Sequence, residues 1–143
     1  TEPEKYSEIA LLILGKAFDN VDIFVLKDKD INSDGSSTTD DQRAAWLSGA
    51  KNRRMLKRKE IENYLLDFEV VSAAYPDLAS NVYEELVPDV SAPDVKEHVS
   101  KVMTLCIGGG NISKRDFLLG LAKKITPDMK IYAELQALIF DGP

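Results

Sequence analysis

The chain has 143 residues, 44% of them hydrophobic and 29% charged, and a formal net charge of −6. These values suit one domain with a sizeable core and speak against a protein that holds nucleic acid by bulk charge alone. No apolar run approaches the roughly 20 residues of a membrane span, TEPEKYSE has no secretory-signal pattern, and the single cysteine, Cys106, excludes an intrachain disulfide, so a cytoplasmic setting is expected.

Pro3 to Phe18 reads as a helix, with Ile9, Leu12, Ile13 and Ala17 on one face and Glu4 and Glu8 near its positive end. Asp19-Asn20 stops it. A strand over Asp22–Lys27 follows, and its run Ile23-Phe24-Val25-Leu26 has the β-branched and aromatic character of a buried strand. Asp28 and Asp30 stand at the end of that strand. In extended chain, residues two apart point to the same side, so both carboxylates can converge on one point. Carboxylates held that close repel unless a cation lies between them, and a hard ion such as Mg2+ takes oxygen ligands of this kind.

Asp28 to Asp41 reads as a loop rich in Asp, Ser, Thr and Gly, Gln42–Leu47 as a short helix stopped by Gly49, and Arg53–Arg58 as a second strand. Glu60–Asp67 reads as a helical turn or two, with Ile61, Tyr64 and Leu65 on the apolar face and Glu60 and Asn63 opposite. Only helices follow. Phe68–Tyr75 ends at Pro76 and Asp77–Val87 at Pro88. The linker VPDVSAPD leads to Val95–Leu105. Gly108-Gly109-Gly110 marks a flexible break, Ser113 caps a helix to Ile125, and Pro127 opens a last helix with Ile131, Leu135, Leu138 and Ile139 as its stripe. The fold class expected is therefore α/β, with two identifiable strands and a mostly helical second half.

Charge is unevenly placed. Lys51, Arg53, Arg54, Lys57, Arg58 and Lys59 fall within nine residues, beside the acidic stretch from Asp28 to Asp41. A basic strip next to an acidic metal loop is what a phosphodiester-handling site needs, although a solvated charged face gives the same pattern.

A hydrophobic strand ending in Asp28-Lys29-Asp30, followed about thirty residues later by Lys57-Arg58-Lys59-Glu60-Ile61-Glu62-Asn63-Tyr64-Leu65-Leu66, resembles the Toprim (topoisomerase–primase) domain. It is most similar to the version associated with ABC-type ATPases in the OLD (overcoming lysogenization defect) nucleases and related phage-defence proteins. The resemblance spans roughly Ala10 to Val70. It implies a partial Toprim-like, Rossmann-like sheet over residues 1–70, incomplete at its N-terminus, with a helical region over 71–143 packed on it. It implies metal-dependent phosphodiester cleavage, with Asp28 and Asp30 binding Mg2+ or Mn2+. Glu62, with Glu60 beside it, would be the further acid that helps a second metal or orients the first, and Lys57, Arg58 and Arg54 would contact the substrate backbone. DNA or RNA, an ATPase domain upstream or in a partner, and a homo-oligomer are the partners it admits; a membrane is not among them. Toprim domains also carry a glutamate at the end of an earlier strand. The chain before Asp28 has room for one helix and no such strand, so that glutamate is expected upstream of Thr1; the alternative is a Toprim-like scaffold that lacks the activity.

A second pattern overlaps the first. Asp30-Ile31-Asn32-Ser33-Asp34-Gly35, with Thr38 and Asp41, matches an EF-hand-type Ca2+ loop, with oxygens at positions 1, 3 and 5, glycine at 6 and Asp41 at 12. The preceding strand, where an EF-hand has a helix, counts against it. His98 is expected on the surface, Cys106 as a small core hydrophobe, and Trp46 and Tyr64 as packing residues, with Tyr64 also able to stack a base.

Overall fold

The computed structural model of the chain describes residues 9–10, 12–13, 24–29, 34, 36–92 and 94–141. Strands β1 (Val25–Lys27) and β2 (Arg53–Met55) pair in parallel, with Val25 opposite Arg53 and Lys27 opposite Met55. Parallel neighbours need a crossover, and helix α1 (Asp40–Ser48) lies within it and packs on β2. α1 starts two residues before the expected Gln42, because Thr39 and Gln42 close a capping box. The Thr39 hydroxyl accepts from the Gln42 N–H at 3.2 Å, and the Gln42 side chain accepts from the Thr39 N–H at 2.9 Å. Asp40 and Asp41 then occupy the first turn, where the helix dipole favours them.

Two expectations about the strands need correction. β1 is not buried: Leu26 is 48% exposed. A strand pair covers an apolar run only where another layer packs on it, and the main core lies further along the chain. β2 is shorter than expected, ending at Met55 rather than Arg58. Beyond it, the Tyr64 hydroxyl accepts the backbone N–H groups of Lys57 and Arg58, both at 3.1 Å. Those donors are thereby taken from any ladder, and the chain turns out of the sheet.

The rest is helical. α2 (Glu62–Leu65), α3 (Phe68–Ala74) and α4 (Ser80–Leu86) follow in order. A 3-10 turn over Val95–His98 leads into α5 (Val99–Ile107), and α6 (Lys114–Ala122) and α7 (Lys130–Gln136) follow, α7 running on into a π-helical turn over Ala137–Asp141. α3 and α4 stop before Tyr75-Pro76 and Val87-Pro88, as residues preceding proline are kept out of helical conformation. Gly108 is a helix terminator rather than a loose break. It adopts φ +68°, a left-handed conformation that glycine reaches without steric cost, and its N–H donates to Thr104 O at 2.8 Å. Ser113 caps α6 as expected, accepting from the Asp116 N–H at 3.1 Å.

One hydrophobic cluster joins the β2 exit to the helices, through Leu56, Tyr64, Leu66, Val70, Val102 and Phe117. Two polar ties support it across long sequence separations. The Glu69 carboxylate accepts from the Lys130 N–H at 3.0 Å, so a residue of α3 caps the start of α7. The Tyr83 hydroxyl donates to Leu66 O, and its burial holds it protonated. Among the described residues no helix is long and apolar enough to cross a membrane.

Candidate functional site

Because β1 and β2 are parallel, the chain leaves both strands at the same edge. The Leu56 N–H donates to Lys27 O at 2.9 Å, which puts the Asp28-Lys29 exit beside the Leu56-Lys57 exit. The carboxyl ends of parallel strands are where open α/β sheets place their ligands. At this edge lies a cleft of about 520 Å3. Its walls carry four cations, Lys29, Lys57, Arg58 and Lys59, against one carboxylate, Glu134. Three hydroxyls, Ser37, Thr38 and Ser91, complete the polar lining.

The cations do not all have the same work to do. Arg58 is held on every side: its guanidinium donates to Asp67 at 3.1 Å, to Glu134 at 3.2 Å and to Asn63 O at 2.9 Å, and lies 4.9 Å from the Tyr64 ring centre. Two carboxylates balance its charge, so Arg58 fixes the loop more than it attracts an anion. The Lys29 ammonium donates to the Asp40 carboxylate at 2.7 Å, and that bond holds the exposed Asp40 carboxyl below its usual range. The Lys57 ammonium enters no ion pair among the described residues. Lys57 is therefore the cation best able to meet a phosphate without first breaking an ion pair.

Arg54 is committed elsewhere. Its buried guanidinium donates to Ile139 O at 2.7 Å and to the carbonyls of Lys51 and Arg53, both at 2.8 Å, and it lies 4.6 Å from the Phe24 ring centre. That ties β2 to the C-terminal turn, and Arg54 does not line the cleft. Arg43 of α1 similarly donates to Met55 O at 2.8 Å, holding the last residue of β2.

Of the expected metal-binding carboxylates, Asp28 is exposed at the strand exit, immediately before the cleft residue Lys29. Asp30 lies outside the described residues. The Glu60 carboxylate is mostly buried and faces the Lys96 ammonium at 3.7 Å, too long for a hydrogen bond but close enough for an ion pair. Glu62 lines a different groove, between α2 and α6. Among the described residues no three His, Cys, Asp or Glu side chains gather as a metal-holding group. The structure thus brings Lys57 and Arg58 together with the β1 exit, and leaves Glu60, Glu62 and Arg54 apart from them.

Asn63 and Tyr64 were expected respectively on a polar face and as packing with a possible stacking role. Asn63 is instead 1% exposed, and Ile61 is the residue left at the surface. The Asn63 side chain accepts from the Glu60 N–H at 3.0 Å and donates to Val90 O and Ala92 O at 2.9 and 3.1 Å. Tyr64 is fully buried under Arg58, so its ring cannot receive a base; burial also raises its pKa. Cys106 packs against the core, and burial pushes its thiol pKa up.

Sequence reasoning missed Ser91 and Glu134, which reach the cleft from far along the chain and carry no local signal. Lys29 and Lys59 were visible as members of the Asp28–Asp30 and Lys57–Lys59 runs.

Compared with known protein families, with characterised proteins and with solved structures, the chain returns no match.

Proposed function

We propose that this chain cleaves phosphodiester bonds in nucleic acid with Mg2+ or Mn2+, as part of an OLD-like Toprim nuclease coupled to an ATPase domain or partner. The observation that carries this reading is the cation-lined cleft at the carboxyl end of the parallel strands, entered immediately after Asp28. Mg2+ commonly binds through one or two carboxylates plus substrate phosphate oxygens and keeps several waters. The donor chemistry at the β1 exit fits that mode, with the exposed Asp28 as one candidate ligand and Asp30 as its partner by sequence. When bound, the ion would stabilise charge on the phosphoryl group and lower the pKa of a bound water.

The chain's own residues supply the positioning. Lys57 meets a phosphate oxygen, Ser37, Thr38 and Ser91 line the cleft around it, and the Arg58–Asp67–Glu134 network keeps the loop in place. Lys57→Ala is expected to weaken binding of single-stranded DNA or RNA and to lower the slope of log K against log salt by about 0.7, the share of one phosphate contact. Fluorescence anisotropy across a salt series reads this. An unchanged slope removes Lys57 from the interface.

A second reading keeps one supporting observation. α1 begins at Asp40 and carries Asp41 in its first turn, so a helix follows the Asp30–Asp41 stretch as it follows a calcium loop. In that reading the loop binds Ca2+ structurally and the protein is a non-catalytic module. Asp41→Asn is then expected to lower Ca2+ affinity in titration calorimetry, whereas under the nuclease reading it leaves Mg2+ binding as in wild type.

A further inference from the structure

A second groove of about 470 Å3 opens between α2, the start of α5 and α6. Its floor is apolar, built from Leu65, Val99 and Leu118, and Ile61 and Leu119 stand at its lip, 42% and 47% exposed, with the exposed Ala122 beside them. Lys96, Lys114 and Arg115 ring it against the single carboxylate of Glu62. Lys96 faces Glu60, but Lys114 and Arg115 enter no ion pair among the described residues. An excess of positive charge around an apolar floor, on a chain whose net charge is −6, selects an occupant that is apolar on one face and acidic beside it.

The chain carries such an element. Ile9, Leu12 and Ile13 are helical, and their spacing of three and four residues places them on one stripe. Glu2, Glu4 and Glu8 precede that stripe in the sequence. Leu12 and Ile13 are 67% and 62% exposed, so within one copy the stripe is not seated in a groove.

We propose that the α2–α6 groove receives the Ile9–Ile13 stripe of a second copy of this chain. A reciprocal exchange gives two identical contacts about a two-fold axis, the closed arrangement that homodimers favour. Two helix-in-groove contacts also bury twice the area of one, which moves a short apolar stripe toward the size of a stable interface.

The test is sedimentation velocity on the full chain across micromolar concentrations. Wild type is expected to form a dimer. Leu12→Glu and Leu119→Glu each remove an apolar anchor from opposite sides of the same contact, and each is expected to weaken self-association by about tenfold or more. Both positions are exposed in the single copy, so circular dichroism is expected to match wild type. A monomeric wild type at every concentration overturns the proposal. So does a dimer that survives either substitution, because both sides of the contact are required.

Discussion

Asp28→Ala is expected to abolish Mg2+- or Mn2+-dependent cleavage, by about hundredfold or more, and to remove the corresponding heat in titration calorimetry. β1 and β2 end together, Asp28 is the first residue beyond β1, and the next residue is already part of the cationic cleft. A carboxylate there can hold an ion within reach of a phosphate placed by Lys57, and alanine at that position removes the proposed ligand, with no metal-holding group among the described side chains to replace it. The fold is expected to survive, because the side chain is exposed and outside the core. Loss of metal binding with an intact thermal transition therefore supports the site. Retained cleavage in Asp28→Ala, or cleavage that ignores chelation of divalent ions, would sink the nuclease reading at this position.

The split between what was legible in the sequence and what was not follows from the range of the interactions involved. Local signals were clear. Thr39-x-x-Gln42 set a helix start, Ser113 set another, Pro76 and Pro88 ended helices, and the apolar run before Asp28 contained the first strand. Most of the misplacements came from groups that satisfy one another across turns or across the fold. The length of β2 was set by the Tyr64 hydroxyl, and the burial of Asn63 by carbonyls 27 and 29 residues away. Neither periodicity nor propensity reports on such partners, because a polar residue is at home inside once its hydrogen bonds are met. The basic strip shows the same limit. Lys57, Arg58 and Arg54 were all read as contacts to a substrate backbone, yet Arg54 binds backbone carbonyls and Arg58 binds two carboxylates, while the Lys57 ammonium enters no ion pair among the described residues. Arginine's planar fork suits it to buried networks and lysine's flexible point charge suits it to an open cleft.

Asn63→Asp is expected to destabilise the protein by about 3 kcal/mol at neutral pH, and by much less near pH 4. Asn63 is the polar centre from which two parts of the cleft are held. Its carbonyl oxygen accepts from Glu60, at the end of the Lys57–Lys59 loop, and its amide nitrogen donates to Val90 and Ala92, on either side of the cleft residue Ser91. Aspartate keeps the acceptor and replaces the donor with a second oxygen, aimed at two carbonyl oxygens in a site that is 1% exposed. The folded state then disfavours the ionised form, so the folded pKa of the new carboxyl lies above its unfolded value of about 3.9. Below that value the group is protonated in both states and can donate one hydrogen bond, which limits the loss. As pH rises past it, the unfolded chain releases its proton first, and stability falls by about 1.4 kcal/mol per unit until the folded pKa is reached. Asn63→Ala removes the same donors without adding a titrating group, so its loss relative to wild type is expected to be independent of pH over this range. Urea unfolding of the three proteins at pH 4 and pH 7 separates the cases. If Asn63→Asp lost no more stability at pH 7 than at pH 4, the amide would not be donating to the 90–92 segment. Ser91 would then have to be held in the cleft by something else.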